Sequence, residues 1–202
     1  MTAGGGDLKP ERKKPGFVRI IAGEWRGRRL PVPDLPGLRP SGDRSRETLF
    51  NWLQALLRGA ACLDLFAGTG VLGLEAVSRG AASVVLVENS RPAAFQLRAS
   101  VEMLDGRPGN SRVTVLEADA LQWLKSQAPG SFDLVFLDPP FGRGLAASAM
   151  ESLQQGRLLK PGGLVYLETA RSEELPPLTA AWEVLKEQTL GEVKMYLLKA
   201  NS

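Results

Sequence analysis

The chain contains no histidine and a single cysteine among its 202 residues. Without histidine there is no Ser-His-Asp triad, no imidazole general base and no imidazole metal ligand. One cysteine excludes an internal disulfide framework, makes a zinc site improbable and suits a reducing compartment. No apolar run approaches the roughly 18 residues that span a bilayer. Lys9, Arg12, Lys13 and Lys14 have no apolar stretch behind them, so no secretory signal is expected.

What remains is an ordinary globular composition, with a 44% apolar fraction and enough length for one domain with a small appendage. The net charge of +3 is unevenly placed. Residues 1–46 hold 11 Lys and Arg against 5 Asp and Glu, while the rest holds 14 against 17. A basic N-terminal segment on a slightly acidic body points to a polyanionic partner. Residues 1–16, with Gly4-Gly-Gly6 and scattered charge, read as a flexible basic tail.

Residues 17–40 read as a small hairpin plus an extended arm. Phe17-Val-Arg-Ile-Ile21 has strand composition, Gly23-Glu-Trp-Arg-Gly27 supplies a turn, and Arg28-Arg-Leu30 returns. Pro31, Pro33, Pro36 and Pro40 punctuate the arm. Arg26, Arg28 and Arg29 flank Trp25, a pattern that favours contact with a nucleic-acid backbone. Trp25 itself either stacks on a base or covers one end of the core. A helix opens near Asp43, a plausible N-cap, with Leu49, Phe50, Leu53, Leu56 and Leu57 at core spacing. Arg39 precedes it, and Arg44 and Arg46 lie on its first turn. These cations oppose the helix dipole, which an anionic phosphate nearby would relieve.

From residue 41 to 202 the pattern alternates. Buried strands are expected at Cys62-Leu-Asp-Leu65, Ser83–Val87, Val113–Leu116, Phe132–Leu137 and Leu164–Glu168, with helices between them. Leu159-Lys-Pro-Gly-Gly163 reads as a turn, and Trp182–Glu187 with Val193–Leu198 as a closing antiparallel pair. Alternation of this kind means an α/β sheet covered on both faces, with ligands at the C-terminal strand ends.

Gly68-Thr-Gly-Val-Leu-Gly73 matches G-x-G-x-x-G, so a nicotinamide or flavin reading must be carried. The acids separate the readings. Asp64 inside the first strand gains nothing from pyrophosphate but would hold an ammonium. Glu88 at the second strand end can accept from both ribose hydroxyls, and Asp119 at the third suits an adenine amine. Such a row fits S-adenosylmethionine, which carries ammonium, sulfonium, ribose and adenine and no phosphate. Asp138-Pro-Pro-Phe141 is the sharpest signal. An exocyclic amino nitrogen is a poor nucleophile because its lone pair is delocalised into the ring. Asp138 and the Pro139 carbonyl can accept its N–H groups and aim the lone pair, Pro139 and Pro140 stiffen the loop, and Phe141 can stack on the base.

Leu63-Asp-Leu-Phe-Ala-Gly-Thr-Gly70, Glu88-Asn89, Ala118-Asp-Ala120 and Asp138-Pro-Pro-Phe141 together resemble the amino-methylating class I S-adenosylmethionine-dependent methyltransferases. More narrowly, Val18-Arg-Ile-Ile-Ala-Gly-Glu-Trp-Arg-Gly27 and Leu38-Arg-Pro-Ser-Gly-Asp-Arg-Ser-Arg-Glu-Thr-Leu-Phe-Asn-Trp-Leu53 resemble the RsmD family of bacterial 16S rRNA guanine-N2 methyltransferases. The similarity covers about residues 17–200. Ser41-Gly42 departs from that family's common Thr-Thr. The resemblance implies a Rossmann-like, mostly parallel seven-stranded sheet with a C-terminal antiparallel strand and an N-terminal hairpin. It implies cofactor contacts at Asp64, Phe66, Ala67, Gly68, Thr69, Gly70, Glu88, Asn89, Asp119, Ala120 and Asp138, and RNA contacts at Arg26, Arg28, Arg29, Arg39, Arg44 and Arg46. It further implies a cytoplasmic, monomeric enzyme acting on the small ribosomal subunit or its assembly intermediate. Adenine N6, a Rossmann oxidoreductase and a non-catalytic assembly factor stand as alternatives.

Overall fold

In the computed structural model, which describes residues 16–32, 42–106 and 111–201, the apolar runs lie side by side as one sheet. Its strands are β3 (Ala61–Asp64), β4 (Ser83–Glu88), β5 (Val113–Glu117), β6 (Phe132–Leu137), β7 (Leu159–Ala170), β8 (Trp182–Leu190) and β9 (Val193–Ala200), in the order β5-β4-β3-β6-β7-β9-β8. The first five are parallel, and β9 runs antiparallel to both β7 and β8. The strand order reverses direction at β3, so a crevice opens between the C-terminal ends of β3 and its neighbours. A separate two-stranded hairpin pairs β1 (Gly16–Arg19) with β2 (Arg29–Val32).

Period-two alternation divides the core. On one face Leu134, Phe136, Leu164, Tyr166, Met195 and Leu197 pack with α1 (Asp43–Leu53), α2 (Val71–Ser78) and the hairpin. On the other, Leu63, Val135, Leu137, Val165 and Leu167 pack with α4 (Ala120–Leu124) and α5 (Leu145–Gln155). α3 (Arg91–Asp105) sends Leu97 and Leu104 into the first face. Leu49, Phe50 and Leu53 of α1 are fully buried, each worth about 1.5–3 kcal/mol of transfer free energy. Leu56, expected beside them, is exposed beyond the end of α1, whereas Leu57 is buried. The expected turn at Leu159–Gly163 is instead absorbed into β7. The pairing slips between Phe132↔Leu159 and Leu134↔Leu164, so extra β7 residues bulge, with Gly162 at φ 75°.

The hairpin is fastened to α2 by a buried acid. Glu75 has no solvent exposure, and its two oxygens accept the backbone N–H groups of Ile21 (2.7 Å) and Ala22 (2.9 Å). Arg79 donates to it from one turn away (2.8 Å) and Arg46 approaches from α1 (3.4 Å). Arg46 also donates to the Arg19 carbonyl (2.9 Å) and pairs with Asp43 (2.5 Å). One residue-turn further on, Ser78 accepts from the Trp25 N–H at its hydroxyl and donates that hydroxyl to the Ala22 carbonyl. Gly23 sits at φ 86°, where an added Cβ would lie 1.9 Å from the Ser78 carbonyl oxygen, so only glycine fits.

Two expectations change here, at Arg46 and Asp43, and the alternative left open at Trp25 is decided. Arg46 is completely buried in this network and cannot reach RNA; its role is to hold α1 and the hairpin to α2. Asp43 is the first residue of α1 and makes no cap; Gly42 takes the cap position, and Asp43 spends its carboxylate on Arg46 and Arg19. Trp25 is buried, with the Arg112 guanidinium over its ring at 5.2 Å, so it closes the core and does not stack on a base. The tail at residues 1–15, the arm at 33–41 with Arg39, and the loop residues 107–110 lie outside the described residues. No helix among the described residues is long and apolar enough to cross a membrane.

Replacing Glu75 by Gln removes the buried charge that accepts the Ile21 and Ala22 amides and balances Arg79, leaves Arg46 with Asp43 alone, and sets an amide NH2 against one of those donors. The expected loss is about 3–5 kcal/mol of unfolding free energy, read in urea denaturation as a lower midpoint at unchanged slope.

Candidate active site

A cavity of about 1340 Å³ opens where the parallel strands end. β3 delivers Asp64 to its floor, and the chain then turns through Phe66-Ala-Gly-Thr69 before α2 begins. The loop is held by backbone bonds: Ala67 N–H to the Val87 carbonyl, and Gly70 N–H back to the Ala67 carbonyl. Gly70 is the left-handed N-cap of α2 at φ 73°, and a Cβ there would meet Leu97 at 2.4 Å. Gly70 therefore shapes the loop against the core and is not part of the cavity wall, unlike Phe66, Ala67, Gly68 and Thr69. Gly73 has a different reason. Its Cα faces β4, where a Cβ would lie 2.3 Å from Leu86 and 2.9 Å from Val84, so α2 rests directly on the strand.

The acids stand in a row along this crevice. Asp64 is almost fully buried and accepts the Gly73 N–H (3.1 Å). Burial raises its pKa to about 7; the Gly73 bond works against this and the Glu88 charge adds to it. Glu88 closes β4, accepting Gly68 N–H (2.9 Å) and Ser90 N–H (2.7 Å), one on each oxygen. This fixes the carboxylate while leaving a second lone pair on each oxygen for a ligand. Asp119 caps α4 by accepting the Gln122 N–H (2.9 Å) and lines the cavity with Asn89 and Ala120. A row of carboxylates repels pyrophosphate and suits a ligand bearing an ammonium, a ribose and an adenine amine.

Asp138 follows the last residue of β6 and lines the same cavity with Pro139, Pro140 and the exposed Phe141. The loop is pinned from below. Gly142 N–H donates to Glu173 (2.5 Å), whose other oxygen accepts from Ala170 at the end of β7. Arg44 of α1 also faces the cavity, while Arg26, Arg28 and Arg29 are exposed on the hairpin, where Arg29 lies over the Phe17 ring at 4.3 Å. Cys62 is a core thiol, its pKa pushed up to about 12 chiefly by burial.

Four residues were not singled out from sequence. Glu168 on β7, Glu173, and Arg143 in the loop before α5 line the end of the cavity beside the Pro-Pro loop, and buried Tyr166 donates its hydroxyl to Glu168. Glu168 carried a readable signal, since it is one more acid at a strand end.

This fold and this row of strand-end acids define a class I S-adenosylmethionine-dependent methyltransferase. The family model described as "Conserved hypothetical protein 95" matches residues 18–199. The chain is 44% identical to the Escherichia coli ribosomal RNA small subunit methyltransferase D over 185 residues, covering 92% of this chain and 91% of that protein. Among solved structures, a putative methyltransferase yhhF from Escherichia coli superposes with a TM-score of 0.82 at 41% identity, covering 92% of this chain and 98% of that one. A Thermus thermophilus 16S rRNA N2 methyltransferase (RsmC), in complex with AdoMet and guanosine, superposes with a TM-score of 0.66 at 26% identity, covering 97% of this chain and 53% of that one. The chain belongs to the RsmD family of small-subunit ribosomal RNA methyltransferases.

An ammonium held by Asp64 would favour its ionised carboxylate, so the affinity for S-adenosylmethionine is expected to fall as pH drops below about 7, by up to about tenfold per unit. Calorimetric titration between pH 6 and 8.5 checks this; Asp64→Asn is expected to bind more weakly and to lose the dependence.

Proposed function

We propose that the protein transfers a methyl group from S-adenosylmethionine to the exocyclic N2 of a guanine in 16S rRNA, within the small ribosomal subunit or its assembly intermediate. The observation that carries this reading is Asp138, a carboxylate at the end of β6, facing the cavity and followed by two prolines and an exposed phenylalanine. Guanine presents N1–H and N2–H side by side, two donors that match the two oxygens of a carboxylate. Adenine presents N6–H beside the acceptor N1, which would match an amide instead. The relative solved with guanosine supports the same reading.

The residues divide the work. Asp64, the Gly68 loop, Glu88 and Asp119 hold the methyl donor, whose sulfonium supplies an electrophilic methyl group. Asp138 and the Pro139 carbonyl accept the amino N–H groups and turn the nitrogen lone pair toward that methyl. Phe141, exposed at the rim, stacks on the base. Positioning and fixed dipoles supply the rate enhancement, with no covalent intermediate on the protein. The base must be unpaired or flipped out, at a cost of a few kcal/mol. Arg26, Arg28 and Arg29 on the hairpin, with Arg44 at the cavity, offset that cost by phosphate contacts.

Transfer of label from S-adenosylmethionine to small subunits, naked rRNA and DNA, with the modified base identified in the digest, tests the reading. N2-methylguanine is expected, and N6-methyladenine or no transfer overturns it. Asp138→Asn is expected to lower guanine methylation on the order of 10–100-fold, the loss of one charge-assisted acceptor; full guanine activity would sink the carboxylate reasoning.

Replacing Arg26, Arg28 and Arg29 together by Ala is expected to weaken RNA binding and reduce its salt slope by roughly 0.7–0.9 per lost phosphate contact. Calorimetric affinity for S-adenosylmethionine is expected to stay at the wild-type value. Equal loss of both would make the hairpin arginines structural.

A further inference from the structure

Beside Asp138 stands a second acid to which the scheme above gives no task. β6 and β7 are parallel, with Phe136↔Tyr166 and Leu137↔Leu167 as their last paired residues. Asp138, just past the end of β6, and Glu168 on β7 are the residues that follow. By the period-two rule they share the face that carries Phe136 and Tyr166. Both line the cavity. Glu168 is only 4% exposed, and its Oε2 accepts the hydroxyl of the fully buried Tyr166 at 2.5 Å. Its Oε1 accepts no hydrogen bond from the described residues. A buried carboxyl with one oxygen held and the other toward a reaction cavity is an expensive feature for a core to keep.

Methylation of an exocyclic amine creates a need at this place. The nitrogen lone pair forms the new bond to the methyl carbon as the carbon–sulfur bond breaks and its electron pair stays on sulfur. The nitrogen then carries a positive charge and must lose one of its protons. We propose that Glu168 joins Asp138 in a carboxyl pair that takes up this proton and passes it to water at the cavity mouth. This rests on the reading that an exocyclic amine is the methyl acceptor. Both carboxyls act on the Tyr166 hydroxyl from neighbouring strands, so a proton taken up by the pair lowers the negative charge gathered there as the nitrogen charge develops.

The surroundings favour proton uptake. Burial lifts the Glu168 pKa above the ordinary carboxylate value, the Tyr166 bond partly opposing it. Burial, then Glu168 and then Asp138, push the Tyr166 pKa well above its usual value, so the phenol stays a donor. The other charged groups around this end of the cavity are Arg143 in the loop before α5, Glu173 and Glu174 after β7, Glu192 in the β8–β9 turn and Arg44 of α1; Glu173 is held by the Gly142 and Ala170 N–H groups. Arg44 and Arg143 are exposed and solvated, leaving the acids to set the local balance.

The test compares wild type, Glu168→Gln, Glu168→Asp and Tyr166→Phe under single-turnover conditions across pH. Gln keeps the volume and still accepts the Tyr166 hydroxyl, so a packing role survives it. Glu168→Gln is expected to lower the rate on the order of a hundredfold, to keep the wild-type affinity for S-adenosylmethionine, and to lose the acidic limb of the rate profile. Glu168→Asp is expected to restore part of the rate. Tyr166→Phe removes a donor to the ionised form and is expected to move that limb to higher pH. A carbon-13 titration of the glutamate carboxyls in the enzyme without substrate reads the same group apart from turnover: one resonance with an elevated midpoint, absent in Glu168→Gln and shifted upward in Tyr166→Phe. An unchanged rate and limb in Glu168→Gln, or an unmoved limb in Tyr166→Phe, overturns the proposal. Wild type that methylates no exocyclic amine overturns the functional reading instead, whatever the variants do.

Discussion

The structure depends on one buried charge, the Glu75 carboxylate. It lies in α2, the helix launched directly from the glycine loop, and is fully enclosed. An enclosed carboxylate is tolerable only when every lone pair finds a donor. Those donors come from three places far apart in the chain: the Ile21 and Ala22 amides, Arg46 of α1, and Arg79. Satisfying the charge therefore fastens the hairpin and α1 to the helix that follows the glycine loop. The segment bearing the exposed arginines is not a loose appendage, because its turn is bonded to that same helix.

From that frame the site follows with little further construction. The strand order reverses at β3, and the neighbouring strand ends present one acid after another around the crevice. Gly73 lets α2 rest on β4, and the same N–H that this approach provides is spent on Asp64. Glu173 ties the Pro-Pro loop to the end of β7, holding Asp138 and Phe141 at the cavity. In the proposed function this divides the cavity into a donor half built on β3–β5 and an acceptor half built on β6–β7. The chemistry needs no nucleophile, which is why a chain without histidine and with one inert cysteine can carry it.

The strands were legible because each is a short apolar run bounded by turn residues, and the acids because they close those runs. Asp64, Glu88, Asp119 and Asp138 all face the cavity. At Gly70 the resemblance implies a ligand contact, while what requires a glycine there is the packing against Leu97. Arg46 misled for a plainer reason. An arginine on the first turn of a helix reads as exposed unless its partner is known, and that partner sits 29 residues later in α2. Trp25 was ambiguous on the same ground, and Asp43 looked like a cap because local sequence cannot show that Arg19 and Arg46 compete for its carboxylate. Glu168 went without a role because its significance comes from being beside Asp138, 30 residues away in sequence and one strand away in space.

Local physics, then, is what the sequence determined by itself: apolar periodicity set the strands and helices, glycines and prolines set the turns, and the strand-end acids set the kind of ligand. Tertiary structure alone decided which charges are buried. Burial is a property of pairs and neighbours brought together by folding, and the free energy of a charge is set by its partners and its water. Arg46 and Arg44 are two residues apart on one helix, yet one is locked in the core and the other faces the cavity.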